Sequence, residues 1–380
     1  MRIDGDWIRD KDLQAVLRCL TGAGHQALLV GGCVRNGLLG MAIDDIDIAT
    51  DARPETAMAL AKAAGLRVVP TGIDHGTVTV IAGGKPHEVT TFRRDVETDG
   101  RRAVVAYSTL IDEDAMRRDL TMNALYADAS GRVIDPLGGL PDLKARRVRF
   151  VGDAEARIRE DYLRILRFFR FHAAYGDQSL GLDPEGLAAC AANSAGLETL
   201  SRERVGHEMR KLLAAADPAP AVAAMQAAGI LAQVLPGADA RALAPLVHLE
   251  TGLPPDALRR LAALGGESPA LALRLSRDEA RRLEVLRGGI GSAAGAAELA
   301  YRHGAELARD ILLARGAVLG QPLAAGYQAA IAKGAAAVFP VRAADLASEL
   351  SGPALGRRLK ALETRWIASG FELSREQLIA

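Results

Sequence analysis

Residues 28–50 place the strongest constraint on how this chain can fold. An apolar run over residues 27–30 predicts a strand over residues 26–30 that ends at the paired glycines Gly31 and Gly32, and a short helical segment follows. Glycine lets backbone N–H groups approach an anion closely, and the start of a helix favours negative charge. The turn therefore suits a phosphate group, although a tight strand-to-helix turn needs glycines for its geometry alone.

Two aspartates follow in the same stretch. Asp45 and Asp47 lie two residues apart in a second apolar segment, which is predicted as a strand over residues 45–49. Residues i and i+2 of a strand point to the same face, so the two carboxylates form a natural site for a hard cation such as Mg²⁺. The alternative is a solvated acidic strand end. A phosphate turn beside a metal site indicates nucleotide chemistry.

Helical and strand patterns alternate up to about residue 135. A helix is predicted over residues 10–23, and β-branched runs predict further strands over residues 67–70, 77–81 and 87–92. The polar, turn-rich residues 95–109 are predicted as a mobile loop. This alternation predicts an α/β domain with a small mixed sheet.

The composition changes at residues 135–143, where proline, paired glycines and aspartates predict a hinge or interdomain turn. After Val151 the patterns are helical, with helices predicted over residues 154–172, 184–193, 201–214 and 219–228. Alanine and leucine are abundant there, and aromatic residues make up only 4% of the chain, which favours helix packing over a β-sandwich. The expected C-terminal region is all-α.

The charge and cysteine content limit the partners and the compartment. Lys and Arg together number 47, as do Asp and Glu, so RNA contacts must come from local basic patches. Cys19, Cys33 and Cys190 stand apart without metal-ligand spacing and are typical of reduced thiols. The sequence shows no apolar N-terminal signal core and no apolar run of membrane length. It therefore predicts a cytoplasmic protein without a membrane partner.

Two further segments carry polar side chains that could join the site. Glu88, in the strand predicted over residues 87–92, would bring a third carboxylate beside the aspartates or else face solvent. Residues 117–124, RRDLTMNA, place two arginines close to Asp119 and Asn123. Such a cluster can clamp a triphosphate, because arginine binds phosphate in a bidentate manner. A salt-bridged surface turn is the alternative.

Residues 160–171, EDYLRILRFFRF, carry charges at every third position, namely Asp161, Arg164, Arg167 and Arg170. On a helix these charges wind along one side, and the simplest interpretation is an amphipathic helix with a solvated basic face. Cytosine and adenine, however, both present an exocyclic amine next to a ring-nitrogen acceptor, which a carboxylate and an arginine match. Uracil and guanine present the reverse pattern. An Asp–Arg helix can therefore act as a protein template for C and A.

Taken in order, these segments resemble the class II CCA-adding enzymes, the tRNA nucleotidyltransferases of the polymerase β superfamily. The family pattern runs GGxVRD, DxD, RRDxTxNA, DPxGGxxDL, EDxxRxxR and a SxER helix, and matching segments span residues 28–213, about half of the chain. Six motifs in a fixed order are far more specific than any one of them. The sequence departs from the pattern at Asn36, where the family has aspartate. This change weakens an expected salt bridge or hydrogen bond near Arg35 but leaves the aspartate pair intact.

The resemblance implies a role for each matching residue. Asp45 and Asp47 would be catalytic and would hold the metal ions, with Mg²⁺ as the cofactor. The residues in contact with the nucleotide fall into two groups. The triphosphate would meet Gly32, Arg35 and Arg118, and the base would be selected by Asp161, Arg164, Arg167 and Arg170. Candidate supporting residues are Glu88, Asp119 and Asn123.

The family layout implies an α/β, polymerase β-like nucleotidyltransferase head over residues 1–145 and a helical neck over residues 146–215 with the selecting helix. An all-α body and tail over residues 216–380 would grip tRNA. The helix that begins after Ser201, an N-cap residue, is interpreted as structural. Two basic clusters are candidate phosphate contacts or solvated surface. They comprise Lys144, Arg146, Arg147 and Arg149, and Arg202, Arg204, Arg210 and Lys211.

The activity that the resemblance implies is template-free addition of the 3′-terminal CCA to tRNA from CTP and ATP, by two-metal nucleotidyl transfer. Bacterial poly(A) polymerase is the nearest alternative, but it carries a basic GRRF-like segment where residues 71–77 here are similar to the CCA-adding version. An enzyme that adds only CC or only A is a further alternative, although the intact segment 95–109 favours full CCA addition. A catalytically silent nucleotide- or RNA-binding protein is a more distant one, because both aspartates are present. No protein partner is evident.

Overall fold

The computed structural model describes residues 1–99, 102–346 and 350–380. The chain forms two compact units, Met1–Val234 and Leu235–Ala380. The division at residue 234 differs from the change in composition at residues 135–143, which lies within the first unit. The head, neck and body boundaries implied by the resemblance stay predictions.

A seven-stranded mixed sheet dominates the first unit, which confirms the predicted α/β architecture. The strands are β1 (Ala27–Val30), β2 (Asp47–Thr50), β3 (Arg67–Gly72), β4 (Thr77–Ala82), β5 (Lys85–Thr91), β6 (Arg93–Asp99), β7 (Arg102–Tyr107), β8 (Tyr126–Ala127) and β9 (Val133–Ile134). In the large sheet they run in the order β3–β4–β5–β2–β1–β8–β9. Only β2 and β5 pair in parallel there, and their register places Asp47 opposite Glu88.

Strand β1 lies in the interior of this sheet, hydrogen-bonded to β2 on one side and β8 on the other. All four of its residues are buried, which explains why this strand reads as an uninterrupted apolar run. The sheet therefore fixes the position at which the chain turns into the next helix.

Helices cover the sheet and continue after it. In the first unit they are α1 (Lys11–Thr21), α2 (Gly32–Leu39), α3 (Pro54–Ala63), α4 (Ile111–Met116), α5 (Leu140–Lys144), α6 (Ala154–Glu160), α7 (Leu163–Tyr175), α8 (Pro184–Ala192), α9 (Arg202–Leu213), α10 (Ala219–Ala227) and α11 (Ile230–Val234). Helix α1 matches the first predicted helix. Its carboxylate cap Asp10 accepts hydrogen bonds from the backbone N–H groups of Asp12 and Leu13.

The prediction of a mobile loop over residues 95–109 is wrong for the residues that the structure describes. Strands β6 and β7 form a separate two-stranded antiparallel ribbon, with a register shift between Asp95 and Glu97. Charged and turn-forming residues obscured a strand pattern in the sequence, whereas antiparallel pairing satisfies the backbone groups regardless of those side chains. Residues 100 and 101 lie outside the described ranges.

The turn at residues 135–143 is held by its own side chains. The Asp135 carboxylate accepts hydrogen bonds from the backbone N–H groups of Gly139, at 2.7 Å, and Leu140, at 2.9 Å. A Cβ atom at Gly139 would lie 2.4 Å from the carbonyl oxygen of Thr121. Glycine is therefore required here because the turn packs directly on the backbone of the RRDLTMNA segment.

The single helix predicted over residues 154–172 is wrong, because α6 ends at Glu160 and α7 begins at Leu163. Asp161 lies between them in an extended conformation, with φ −156° and ψ 104°. Its carboxylate accepts a hydrogen bond from the backbone N–H of Leu163 at 3.1 Å. The same aspartate that the pattern placed within a helix thus helps to start one, a common role for this short acceptor.

The described residues of the second unit are helical, as predicted. Its helices are α12 (Leu243–Leu249), α13 (Ala257–Leu264), α14 (Pro269–Ala272), α15 (Arg277–Ile290), α16 (Ala296–His303), α17 (Ala305–Leu319), α18 (Tyr327–Ala336), α19 (Gly352–Ala368) and α20 (Arg375–Ile379). Over the described ranges, none of the helices in either unit combines the length and the apolar character needed to cross a bilayer.

Candidate active site

A polar cleft of about 440 Å³ opens in the first unit, beside the end of strand β1. Its walls come from the β1–α2 turn, the segment before β2, the RRDLTMNA segment and helices α7 and α9. The lining residues that bear on the chemistry are Gly31, Gly32, Arg35, Asn36, Asp44, Asp45, Asp47, Arg118, Asp119, Asn123, Arg167, Arg170, Phe171, Tyr175 and Lys211. Segments that are distant in the sequence therefore meet in one site.

The β1–α2 turn forms one edge of the cleft. Gly31 adopts a left-handed conformation, with φ 69°, that favours glycine, and α2 begins at Gly32. A Cβ atom at Gly31 would lie 3.3 Å from Nη1 of Arg118, so the glycine also lets that arginine approach closely. The N-terminal end of α2 thus faces a cleft lined by cations, an arrangement that favours an anion.

The aspartate pair lies in the same cleft. Strand β2 begins at Asp47, so Asp45 precedes the strand, and their shared position follows from the chain path rather than from strand alternation. Asp47 is exposed, but desolvation by its surroundings and the charges of Glu88 and Asp45 raise its pKa, whereas Arg118 acts in the opposite direction. A cation between these carboxylates would relieve that repulsion, so the pair fits a hard divalent metal.

Glu88 lies next to Asp47 on strand β5 but outside the cleft lining. Over the described parts of the chain, no three histidine, cysteine, aspartate or glutamate side chains form a group that could hold a metal. The supporting role of Glu88 stays a prediction.

Arg35 is almost completely buried in the cleft wall, with 6% of its surface exposed. Its Nη1 donates a hydrogen bond to Oδ1 of Asn123 at 2.6 Å, and its Nη2 donates to the hydroxyl of Tyr175 at 2.8 Å. The guanidinium also lies over the Tyr175 ring, 4.0 Å from its centre, and over Phe171 at 5.1 Å. These contacts hold Arg35 rigidly while burial lowers its pKa.

Asn36, the departure from the family pattern, retains the hydrogen bonds near Arg35. Its Oδ1 accepts from Nε of Arg35 at 3.1 Å and from Nη2 at 2.9 Å, while its Nδ2 donates to the carbonyl oxygen of Ala42. The substitution therefore removes a negative charge but not the bidentate contact. The sequence predicted a weaker salt bridge or hydrogen bond near Arg35. The hydrogen bonds are present, and only the negative charge is lost.

The RRDLTMNA segment is not a surface turn, because Asp119, Thr121 and Asn123 are buried. Arg118 donates to the Asp114 carboxylate at 3.0 Å and to the Tyr126 hydroxyl at 3.1 Å. Burial opposes the charge of Arg118, but Tyr126 and Asp114 raise the pKa of this guanidinium overall. The cation is thus fixed and permanently charged at the cleft.

Helices α7 and α9 complete the site through a chain of ion pairs. Arg167 donates to the Asp119 carboxylate at 2.6 Å, and Arg170 forms an ion pair with the buried Glu208 on α9. Asn123 donates to the other oxygen of Asp119 at 3.0 Å. Two of the predicted selecting arginines therefore lie in the cleft, with their guanidinium groups held by buried carboxylates.

The other two predicted selecting residues lie outside the cleft lining. Asp161 forms an ion pair with Arg204 of α9 at 2.6 Å, and both side chains are about one-third exposed. Arg164 donates to the Glu160 carboxylate and to the backbone carbonyls of Arg157 and Arg117. Because of the break at Asp161, the four charges do not follow one helical face.

Sequence reasoning missed Glu208, Phe171 and Tyr175, and it did not separate Lys211 from the other basic residues. The sequence did contain a signal for a shared face of α9. Arg204, Glu208 and Lys211 are spaced by four and three residues, which places them on one side of the helix. This helix, interpreted as structural, contributes directly to the cleft.

Comparison with known proteins shows similarity over much of the first unit. Residues 27–149 match the family model described as the poly A polymerase head domain, and residues 180–241 match the probable RNA and SrmB-binding site of polymerase A. The chain is 42% identical over 202 residues to the CCA tRNA nucleotidyltransferase 1, mitochondrial, of Homo sapiens, covering 53% of this chain and 46% of that protein. It is 42% identical over 224 residues to a CCA-adding enzyme of Geobacillus thermodenitrificans, covering 58% and 54%. The chain thus spans about half the length of the curated relatives it matches.

Solved structures extend the similarity along the chain. The crystal structure of the Bacillus stearothermophilus CCA-adding enzyme in complex with CTP superimposes with a TM-score of 0.72 at 30% identity. That match covers 94% of this chain and 93% of the other. The Thermotoga maritima CCA-adding enzyme complexed with tRNA gives a TM-score of 0.71 at 18% identity, over 99% and 95% of the two chains, which shows a shared fold.

Proposed function

The chain belongs to the tRNA nucleotidyltransferase/poly(A) polymerase family, and on this basis we propose that it adds the 3′-terminal CCA to tRNA from CTP and ATP without a nucleic-acid template. One observation carries the proposal. The aspartate pair, the N-terminal end of α2 and the fixed arginines Arg35 and Arg118 line a single cleft. This arrangement joins a cation site to a triphosphate site, as nucleotidyl transfer requires.

Asp45 and Asp47 are proposed to hold Mg²⁺. The chemistry that such ions supply is activation of the tRNA 3′-hydroxyl and neutralisation of the triphosphate as pyrophosphate departs. The raised pKa of Asp47 supports this assignment, since neighbouring carboxylates leave the site in need of positive charge. Gly32, Arg35 and Arg118 are proposed to orient the triphosphate.

Base selection is assigned to Asp161, Arg164, Arg167 and Arg170, by the pairing-edge argument for C and A. Arg167 and Arg170 line the cleft, which supports their part in the proposal. Asp161 accepts one hydrogen bond from Arg204 and one from a backbone N–H. A carboxylate offers about four acceptor positions, so Asp161 retains the capacity to accept from a base amine.

The remaining layout is also proposed from the family. Residues 1–145 would form the nucleotidyltransferase head, residues 146–215 the neck and residues 216–380 an RNA-binding body and tail. Asp119 and Asn123 would support the site through their contacts with Arg167 and Arg35. A cytoplasmic location is also proposed, as the sequence predicts.

A decisive experiment incubates the protein with Mg²⁺, tRNA that ends at the discriminator base, and CTP and ATP separately or together. Three added residues with both nucleotides are expected. One or two would indicate an enzyme that adds only CC or only A. A long ladder of A would indicate a poly(A) polymerase, the enzyme that the description of the matching head-domain model names.

A second test addresses the metal site. Asp47→Ala is expected to abolish addition of both C and A while leaving tRNA affinity within about twofold of the original, because tRNA binding depends chiefly on phosphate contacts. The loss of turnover should reach at least about 10³-fold, since metal stabilisation of the transition state is worth several kcal/mol. Turnover that survives the substitution would show that the metal assignment is wrong.

A further inference from the structure

Five positively charged side chains line the cleft, and Lys211 is held differently from the four arginines. Arg118, Arg167 and Arg170 form ion pairs with Asp114, Asp119 and Glu208 respectively, as the shortest contact of each shows. Arg35 uses its donors on Asn36, Asn123 and Tyr175. These four guanidinium groups are therefore held in place by the protein before any ligand arrives.

Lys211 is the fifth cation and is held differently. It lies on α9, lines the cleft and is exposed. Across residues 1–99, 102–346 and 350–380, no hydrogen bond or ion pair engages its ammonium group. One turn earlier on the same side of α9, Glu208 is buried and pairs with Arg170. The helix thus places an anchoring carboxylate in the wall and an uncommitted positive charge in the open cleft.

An ammonium group in this position suits a phosphate oxygen. Lysine carries a compact charge with three donors on a flexible stem, so it can follow a ligand that changes position during a reaction. Each of the four guanidinium groups already uses some of its donors on protein acceptors, whereas the described residues leave all three donors of Lys211 available. An anion that enters the cleft gains its strongest new contact from such a donor.

We propose that Lys211 binds a phosphate group of the reacting molecules. Two sources supply this chemistry, namely the triphosphate of the incoming nucleotide and the phosphodiester at the 3′ end of the tRNA. The inference rests on the proposed function, because that function brings both phosphates into the cleft. It singles out Lys211 from the eight basic residues that the sequence left as candidate phosphate contacts.

The test measures equilibrium binding without turnover, using Lys211→Ala, Lys211→Arg and the full-length chain. The probes are CTP, cytidine and tRNA that ends at the discriminator base. Lys62→Ala is the matched control, because Lys62 is also an exposed lysine of the first unit but lies outside the cleft lining and outside both basic clusters. The thermal midpoint of Lys211→Ala should equal that of the original protein, since an exposed side chain without partners is removed.

If the triphosphate is the ligand, Lys211→Ala weakens CTP binding by about tenfold, leaves cytidine binding unchanged and is largely rescued by Lys211→Arg. If the tRNA phosphodiester is the ligand, CTP binding is unchanged. In that case tRNA affinity falls and the slope of log K against log salt decreases by about 1. Either result supports a phosphate contact.

Equal losses for CTP and cytidine would overturn the proposal, because they would show a change in the pocket rather than a lost charge contact. Unchanged binding of CTP and of tRNA, relative to Lys62→Ala, would overturn it as well. CCA addition by the unsubstituted protein is assayed in the same preparation, so a failure of the proposed function is seen separately from a failure of the Lys211 contact.

Discussion

Tyr175 shows how a single side chain sets the geometry of the cleft. Its hydroxyl accepts from Nη2 of Arg35 at 2.8 Å, and its ring lies under the same guanidinium. The two contacts differ in kind, since the first is a charged hydrogen bond and the second a cation–π contact. Substitution can therefore remove one or both of them.

We expect Tyr175→Phe to raise the KM for CTP and for ATP by about 3- to 10-fold, because the hydrogen bond is lost and the ring remains. Tyr175→Ala should raise both values further. Steady-state kinetics with each nucleotide check this, with Tyr301→Phe in the second unit as the control for loss of a half-buried, hydrogen-bonded tyrosine hydroxyl. A change for only one of the two nucleotides would contradict a role through Arg35, which is proposed to contact the triphosphate.

His87 makes stability depend on pH. It lies in β5 with 4% of its surface exposed, and neither ring nitrogen has a hydrogen-bond partner among the described residues. Burial lowers the pKa of His87 below its ordinary value of 6.5, and the charge of Lys85 lowers it further. The charges of Asp10 and Asp12 act in the opposite direction. The folded chain therefore binds fewer protons than the unfolded chain once the pH falls below that ordinary value.

Protonation of His87 therefore favours the unfolded chain. As a result, the free energy of unfolding decreases as the pH falls from about 7 to 5. The contribution of His87 is limited to about 1.4 kcal/mol per pH unit, because one proton is involved. His87→Leu should reduce this slope, whereas His75→Leu, at an exposed position, should not. Urea unfolding at both pH values measures it, and equal slopes for the two variants would contradict the assignment.

At the level of secondary structure, the break between α6 and α7 controls where the predicted base-reading aspartate points. Asp161 is extended there, and Arg204 of α9 holds one of its oxygens. The ion pair orients the carboxylate, so Arg204 would act on a base through Asp161 as a positioning residue.

We expect Arg204→Ala to lower the preference for CTP over UTP, expressed as a ratio of kcat/KM values, by about tenfold, because misplacement of a contact group reduces discrimination. Arg204→Lys should restore part of the preference. Arg202→Ala, at an exposed position on the same helix, serves as the control. If Asp161→Ala lowers the preference and Arg204→Ala does not, the positioning role is excluded.

The β6–β7 ribbon and the α6–α7 break were not predicted from the sequence, and the reason is the same for both. In both places hydrogen-bond partners outside the local pattern decide the conformation, namely the opposite strand in one case and Arg204 in the other. Helix α1 and strand β1 were predicted correctly because burial of one continuous apolar set determines each of them.

At the level of the whole molecule, the second unit contains a buried ionic network that no sequence motif indicated. Arg259 is 2% exposed and donates to Glu250 at 2.7 Å and to Asp310 at 2.8 Å. Arg260 pairs with the other oxygen of Glu250, and Arg282 pairs with the other oxygen of Asp310. Each carboxylate is thus shared by at least two guanidinium groups, so removal of one partner leaves charge uncompensated in the interior.

We expect Arg259→Met to lower the free energy of unfolding of the second unit by about 3–5 kcal/mol. The affinity for tRNA should fall with it, while CTP binding by the first unit is retained, because the cleft residues all precede Leu235. Urea unfolding and titrations with CTP and tRNA check this, with Arg277→Met, at an exposed position on α15, as the control. Equal stability of the two variants would contradict the importance of the network.

The sequence by itself determined helix α1, the glycine turn after a buried strand, the presence of the aspartate pair and the family. The helix and the strand could be predicted because each depends on neighbouring residues, whose spacing fixes which face they share. Only the tertiary structure decided that Arg35 contacts Asn123 and Tyr175, that Glu208 holds Arg170, and that Lys211 faces the cleft without a partner among the described residues. Such contacts join segments separated by as many as 140 residues. Periodicity can assign a residue to one face of a helix or strand. The packing of the elements against one another determines which residues that face contacts.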